Sequence, residues 1–199
     1  MQTVEVRLEK IQYWDEVYKS EEDLIKTFDE KLSFYIGCDP SLGKQGKRGD
    51  FSAILVVAKH ADTGKIYVLI ADIAKRTPES IVSTVISYAQ FYKKIKKVFI
   101  ESNQFQELLV RDIEEKSYQE GVSFSVVRVN HSCDKIARIQ SLEPGVNGGK
   151  ILFAHSNRLL IDQLTHFPKG AHDDGPDALE MVVSGAKNDR GGIGWFTLS

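Results

Sequence analysis

Apolar and polar positions along the chain switch repeatedly between the two-residue period of strands and the 3.6-residue period of helices. Phe34-Tyr35-Ile36-Gly37-Cys38-Asp39 is a short buried strand that ends on a carboxylate, and a Gly- and Lys-rich stretch without apolar periodicity follows at 40–50. Two β-branched runs, 51–59 and 65–74, are joined by Asp62-Thr63-Gly64, a turn sequence, so the first three strands are expected to form an antiparallel meander. Thr77 and Pro78 open a helix as cap and first residue, and Ile81, Val82, Val85, Ile86, Ala89 and Phe91 carry it to about residue 94. A fourth strand at 97–101 also ends on a carboxylate, Glu101. Then come a helix at 104–120 stopped by Gly121, a strand at 124–129, a helix at 133–142, a turn-rich break at 144–149, the short run Ile151-Leu152-Phe153, and helices at 157–166 and 174–186. This order predicts an α/β fold with a mixed sheet and helices packed on its faces.

The ends of the chain read differently. Residues 1–30 form a polar, partly helical lead-in or linker, with Trp14, Val17, Tyr18, Leu24, Ile25 and Phe28 at roughly helical spacing. Residues 31–190 are expected to be the folded domain, and the tail 191–199, with Gly191, Gly192 and Gly194, is expected to fray. The chain has 199 residues, 42% hydrophobic and 27% charged, which suits one globular domain and argues against disorder. No apolar run reaches the roughly 20 residues needed to span a bilayer and no signal-peptide core opens the chain, so a cytosolic protein is expected. Cys38 and Cys133 lack metal-ligand spacing and are expected to be reduced packing residues.

Charge is unevenly distributed. The net charge is -2, yet residues 1–30 hold nine acids against four bases and account for -5, which leaves +3 for the remainder. Basic residues cluster at Lys44, Lys47 and Arg48, at Lys93, Lys94, Lys96 and Lys97, and at Arg128, Lys135 and Arg138; each cluster is either a solvated face or a polyanion contact. The loop from Gly37 to Lys44 fails as a phosphate-binding P-loop, because five residues separate Gly37 from Gly43 and Gln45 stands where Ser or Thr is required.

The candidate chemistry lies in three acidic strings. Asp39 ends one strand, Glu101 ends another, and His172-Asp173-Asp174-Gly175-Pro176-Asp177 opens the last helix. Asp39 and Asp174 have ordinary explanations, Asp39 starting a turn before Pro40 and Asp174 capping a helix with Asp177 completing an approximate capping box; Glu101 has a weaker one, since it would need a cationic partner and Lys97, four residues back, is too far to reach it easily. Their conjunction changes the balance, because the first and fourth strands are natural neighbours whose tips can share one cleft. Asp173 and Asp177 are one helical turn apart and share a helix face. Acids gathered at strand tips raise one another's pKa unless a cation holds them, and hard oxygen donors without Cys select Mg²⁺ or Mn²⁺.

At these residues the chain resembles the C-terminal nuclease domain of the large terminase subunit of tailed bacteriophages, a ribonuclease H-like (retroviral integrase) fold. The resemblance is carried, in order, by Gly-Cys-Asp-Pro-Ser at 37–41 with Gly49-Asp50-Phe51-Ser52-Ala53-Ile54, by Ile-Glu-Ser-Asn-Gln at 100–104, and by Lys135-Ile136-Ala137-Arg138-Ile139 with Leu142-Glu143-Pro144. Gly149-Lys150-Ile151-Leu152-Phe153 and His-Asp-Asp-Gly-Pro-Asp-Ala-Leu at 172–179 complete it, so it covers about 33–187. It implies a five- to six-stranded mixed sheet with strands one to three antiparallel and parallel additions. It further implies a metal-dependent endonuclease that cuts double-stranded DNA during phage genome packaging, in the cytoplasm of an infected bacterium. Asp39, Glu101 and Asp173 or Asp174 would be the metal ligands, Asp177 would support them, and His172 would assist a proton transfer. Two ions about 4 Å apart would share Asp39, and Lys44, Lys47, Arg48, Lys135 and Arg138 would hold DNA phosphates. The resemblance adds an ATPase motor domain, for which this chain carries no Walker motif, and as partners the terminase small subunit and portal protein. Rival readings are a Holliday-junction resolvase or transposase-like nuclease, a catalytically idle DNA-binding domain, and an actin-like ATP-binding module, which the missing second phosphate loop disfavours.

Overall fold

The computed structural model describes residues 6–40, 51–101, 107–131 and 133–189. Strands β1 (Leu32–Asp39), β2 (Phe51–His60) and β3 (Ile66–Lys75) form the expected antiparallel meander. Helix α1 (Glu21–Phe28) precedes them, and α2 (Pro78–Tyr92), β4 (Ile95–Glu101), α3 (Glu107–Gln119) and β5 (Ser125–Val129) follow. The chain continues through α4 (Lys135–Gln140), α5 (Glu143–Asn147), β6 (Ile151–Leu152), α6 (Arg158–His166) and α7 (Asp174–Asn188). The six strands lie in the order β5-β4-β1-β2-β3-β6, with β4 parallel to β1, β5 parallel to β4 and β6 parallel to β3. The mixed sheet and its antiparallel start are as the sequence implies.

Local chemistry accounts for most boundaries. Ser20 and Thr77 accept hydrogen bonds from the backbone N–H groups of Asp23 and Ser80, capping α1 and α2, and Asp134 caps α4 through Ala137 N–H. Gly64 takes a positive φ of 65° in the β2–β3 turn, a conformation that costs glycine little. Residues 144–149, expected as a break, instead begin with the short helix α5; Pro144 suits a first helical turn, and Leu142 and Val146 are drawn into the core. The lead-in packs onto the domain as well. Trp14 is buried and donates from Nε1 to the Val68 carbonyl at 2.9 Å, Tyr13 bridges to Phe153, and Leu24 is fully buried. The proposed tail at 191–199 lies outside the described residues. Among those residues no helix is long and apolar enough to cross a membrane.

Both sheet faces are covered. Phe34, Ile36 and Cys38 of β1, with Val98 and Ile100 of β4, pack beneath α1, α2 and α3. Tyr35 of β1 and Phe99 of β4 face the other way, toward α4, α6 and α7. Because strand side chains alternate, Gly37 and Asp39 fall on the Tyr35 side and Lys97 and Glu101 on the Phe99 side. Helix α7 lies over that face and is buried nearly all round, from Gly175 to Ala186. Its approach is very close. A Cβ at Gly37 would lie 2.7 Å from the Ala178 carbonyl oxygen and 2.7 Å from Val182 Cβ, and one at Gly185 would lie 2.4 Å from the Phe99 ring. The far end of the helix is tied down by Asp189, which accepts from Tyr35 Oη at 2.9 Å and pairs with Lys97 at 3.0 Å. Lys59 Nζ donates to the Ala186 carbonyl at 2.6 Å.

Gly37→Ala should therefore force α7 off β1 and destabilise the protein by about 1–3 kcal/mol, the usual cost of overpacking a well-filled contact. Urea unfolding followed by circular dichroism measures this, and an unchanged midpoint would contradict so tight a helix–strand contact.

Candidate metal centre

Three elements deliver one carboxylate each to a single point. Asp39 is the last residue of β1, Glu101 the last of the parallel neighbour β4, and Asp177 sits one turn into α7. One carboxylate oxygen from each lies within 4.8 Å of the others. Asp39 and Asp177 are buried, at 4% and 6% exposure, and Glu101 is half-buried. Like charges this close, and this dry, cannot all ionise freely. Burial raises the Glu101 pKa above its ordinary value, and the nearby Asp177 raises it further; Lys135, Arg138 and a hydrogen bond with Asp39 oppose them.

Basic residues of α4 supply the balancing charge. Lys135 Nζ reaches Asp177 Oδ2 at 2.6 Å and Asp173 Oδ1 at 2.9 Å. Burial works against the Lys135 ammonium, but hydrogen bonds to Asp177 and Asp173 outweigh it and its pKa is raised. Arg138 Nη2 donates to Asp177 Oδ1 at 2.8 Å and Nη1 to Glu180 Oε2 at 2.8 Å. Nη1 also lies 3.1 Å from His131 Nε2, whose pKa is lowered by burial and by the Arg138 charge; a neutral imidazole can accept there. Burial raises the Glu180 pKa despite the Arg138 contact.

The arrangement differs from the sequence expectation in the third position. The resemblance implies Asp173 or Asp174 as the third ligand with Asp177 in support, whereas here it is Asp177 that meets Asp39 and Glu101. Asp173 lies just before the helix, caps no N–H with its side chain, and is turned to Lys135. Asp174 opens α7 and is outside the group of converging oxygens. Asp177 occupies the inner face because Gly37 lets α7 settle directly over β1. His172 is exposed, with its ring edge-on to Phe51 at 4.6 Å between centroids. Lys135 and Arg138, expected at DNA phosphates, are used inside the site, the latter with only 12% of its side chain exposed. Lys44, Lys47 and Arg48 lie outside the described residues. Glu180 and His131 were not anticipated. Glu180 was detectable as an acid inside the apolar run Ala178-Leu179-Glu180-Met181-Val182, which requires a buried cation.

Neither the family models nor the curated protein sequences contain a match to this chain. Solved structures do share its fold. The nuclease domain of the human cytomegalovirus terminase, Mn-soaked and inhibitor-bound, superposes with a TM-score of 0.59 at 13% identity over 90% of both chains. The large terminase nuclease of thermophilic phage G20c with bound magnesium gives a TM-score of 0.54 at 18% identity, covering 79% of this chain and 83% of that one. The same nuclease has been solved with cobalt and with zinc. The large terminase of another thermophilic bacteriophage gives 0.53 at 12% identity over 75% of this chain, which spans only 38% of the phage protein. The fold is the ribonuclease H-like one of terminase nuclease domains.

Because its pKa is raised in the folded state, Glu101 binds its proton more tightly folded than unfolded. The stability this contributes is complete below the ordinary Glu pKa and is lost as pH rises through the elevated value. Metal-free protein should thus lose stability across that window, and Glu101→Gln should flatten the loss. Mn²⁺ should raise the melting temperature more at about pH 8 than at about pH 5, since it binds the ionised form. Thermal melts in chelator and in Mn²⁺ test this; identical pH slopes for both proteins would contradict the crowding.

Proposed function

We infer that this chain is a metal-dependent nuclease domain of the terminase type that cleaves double-stranded DNA. The observation that carries the reading is the convergence of Asp39, Glu101 and Asp177 on one point of a fold shared with terminase nuclease domains. The donors suit the group: three hard carboxylate oxygens, with Cys38 buried on the opposite face. A divalent cation, Mg²⁺ or Mn²⁺, bound there would polarise a phosphodiester and acidify a water. We extend the reading to two ions, for which Asp39 would be the common ligand, and to Asp173, which shares the Lys135 ammonium with Asp177.

The chain's own residues set the electrostatics. Asp39, Glu101 and Asp177 concentrate negative charge, and Lys135, 40% exposed, is the cation best placed to leave them for a phosphate oxygen. His172, exposed beside Phe51 and next in the chain to Asp173, is the candidate for relaying a proton to solvent. Lys44, Lys47 and Arg48 would hold the duplex by its backbone without reading bases. By the same reading the domain acts in the host cytoplasm beside an ATPase motor, with the terminase small subunit and portal protein as partners in packaging.

Asp39→Ala should abolish cleavage of linear plasmid in Mg²⁺ or Mn²⁺ while the protein still folds; full cleavage would remove Asp39 from the centre. Preferential cutting of four-way junctions over linear duplex would move the assignment to a junction resolvase, and no cleavage by the unaltered protein would favour a DNA-binding role alone.

The combined change of Lys44, Lys47 and Arg48 to Ala should weaken binding about equally on any duplex sequence. The slope of log K against log salt should become shallower by about 2–3, since each lost phosphate contact removes roughly 0.9. Filter binding across a salt series measures it, and an unchanged slope and affinity would place DNA elsewhere.

A further inference from the structure

We propose that Arg138 and Glu180 are positioning residues for Asp177, so that Arg138 serves the metal centre from inside the fold rather than the DNA from outside. The inference rests on the metal-centre reading above. Its basis is the way the guanidinium is spent. Arg138 spans two acids on successive turns of α7, Asp177 and Glu180, at 2.8 Å each, and both acids are among the most buried charged groups of the described residues. A guanidinium presents its donors in a fixed planar fork, so holding Glu180 with one nitrogen fixes where the other meets Asp177 Oδ1. Glu180 is three residues from Asp177 on the same helix face, and His131 Nε2 lies 3.1 Å from Nη1 as well. The arginine is therefore held by more than one partner before it touches the ligand.

Lys135 provides the contrast within the same helix. It meets the other oxygen of Asp177, Oδ2, from a side chain 40% exposed on four rotatable bonds, whereas the Arg138 side chain is 12% exposed. The lysine can swing away; the arginine cannot leave without stranding two buried carboxylates. A fixed bracket on Oδ1 and a displaceable ammonium on Oδ2 leave the Asp177 carboxylate oriented but open to a cation. Partners that orient metal ligands in this way typically affect metal affinity 10–100-fold when removed.

The test is Mn²⁺ binding to the full chain, measured by calorimetry, with duplex-DNA binding over a salt series in parallel. Arg138→Ala should weaken Mn²⁺ binding about 10–100-fold and leave the salt slope for DNA unchanged. Arg138→Lys, which can reach one carboxylate but not bridge two, should recover part of the Mn²⁺ affinity, and Glu180→Ala should weaken it in the same direction as Arg138→Ala. Leu164→Ala, a core change in α6 that removes no charged group, supplies a destabilised reference that should keep its Mn²⁺ affinity. If Arg138→Ala does not fold, Arg138→Lys and Glu180→Gln carry the test, with weaker Mn²⁺ binding expected in both. Wild-type Mn²⁺ affinity in the Arg138 variants, or a DNA salt slope shallower by about 1, would overturn the inference and return Arg138 to the phosphate-binding surface. No Mn²⁺ binding by the unaltered protein would overturn the metal centre itself, and the inference with it.

Discussion

The mutual repulsion of Asp39, Glu101 and Asp177 is the constraint to which the rest of the fold responds. Three carboxylates whose oxygens lie within 4.8 Å in a largely buried position are unfavourable in isolation, and nothing in the hydrophobic pattern of β1, β4 or α7 compensates for them. Compensation arrives from α4, which adds two cations beside Asp177, while burial raises the Glu101 pKa. The metal-free state is thus a balanced cluster of charges and not a bare acidic pit. On the proposed reading a divalent cation would have to compete with Lys135 and with a Glu101 whose pKa is raised, so its affinity would depend on pH and on the freedom of one lysine side chain.

Backbone geometry makes the crowding possible. Parallel pairing of β1 and β4 brings their C-terminal tips side by side, and the two-residue period aims Asp39 and Glu101 to the same face. Helix α7 then lies on that face at a separation that only glycine at positions 37 and 185 permits. A bulkier residue at Gly37 would lift the helix and carry Asp177 away from its partners. Cys38, between Gly37 and Asp39, points into the opposite core, where burial pushes its thiol pKa up and keeps it protonated.

Much of this was legible in the sequence because it is local. Strand ends, the Asp62-Thr63-Gly64 turn, the Thr77-Pro78 helix start and the acids closing β1 and β4 are all set by neighbours a few residues away. What was not legible depends on contacts between distant segments. Asp173, Asp174 and Asp177 are equivalent as a string, and only the docking of α7 on Gly37 separates the inner carboxylate from the outer ones. Lys135 and Arg138 read as surface charge since their partners lie 39 and 42 residues or so downstream, in a helix whose rotation about its axis the sequence does not specify. The short helix α5 was read as a break because Pro and Gly dominate 144–149, while the burial of Leu142 and Val146 decides the outcome.

The distal anchorage of α7 bears on how the centre can move. Tyr35, Lys97 and Lys59 hold the last turn at Asp189 and Ala186, while the first turn carries Asp177 to the strand tips. A helix fastened at one end and wedged against two glycine contacts along its length behaves as a stiff rod, unable to slide or roll without breaking several contacts at once. If the cluster binds a cation as proposed, adjustment to ions of different radius would come from side-chain torsions of Asp39, Glu101 and Lys135. The rod also transmits in the other direction: damage at Asp189, remote from any reacting atom, would be felt as a change in the height of Asp177 above the sheet.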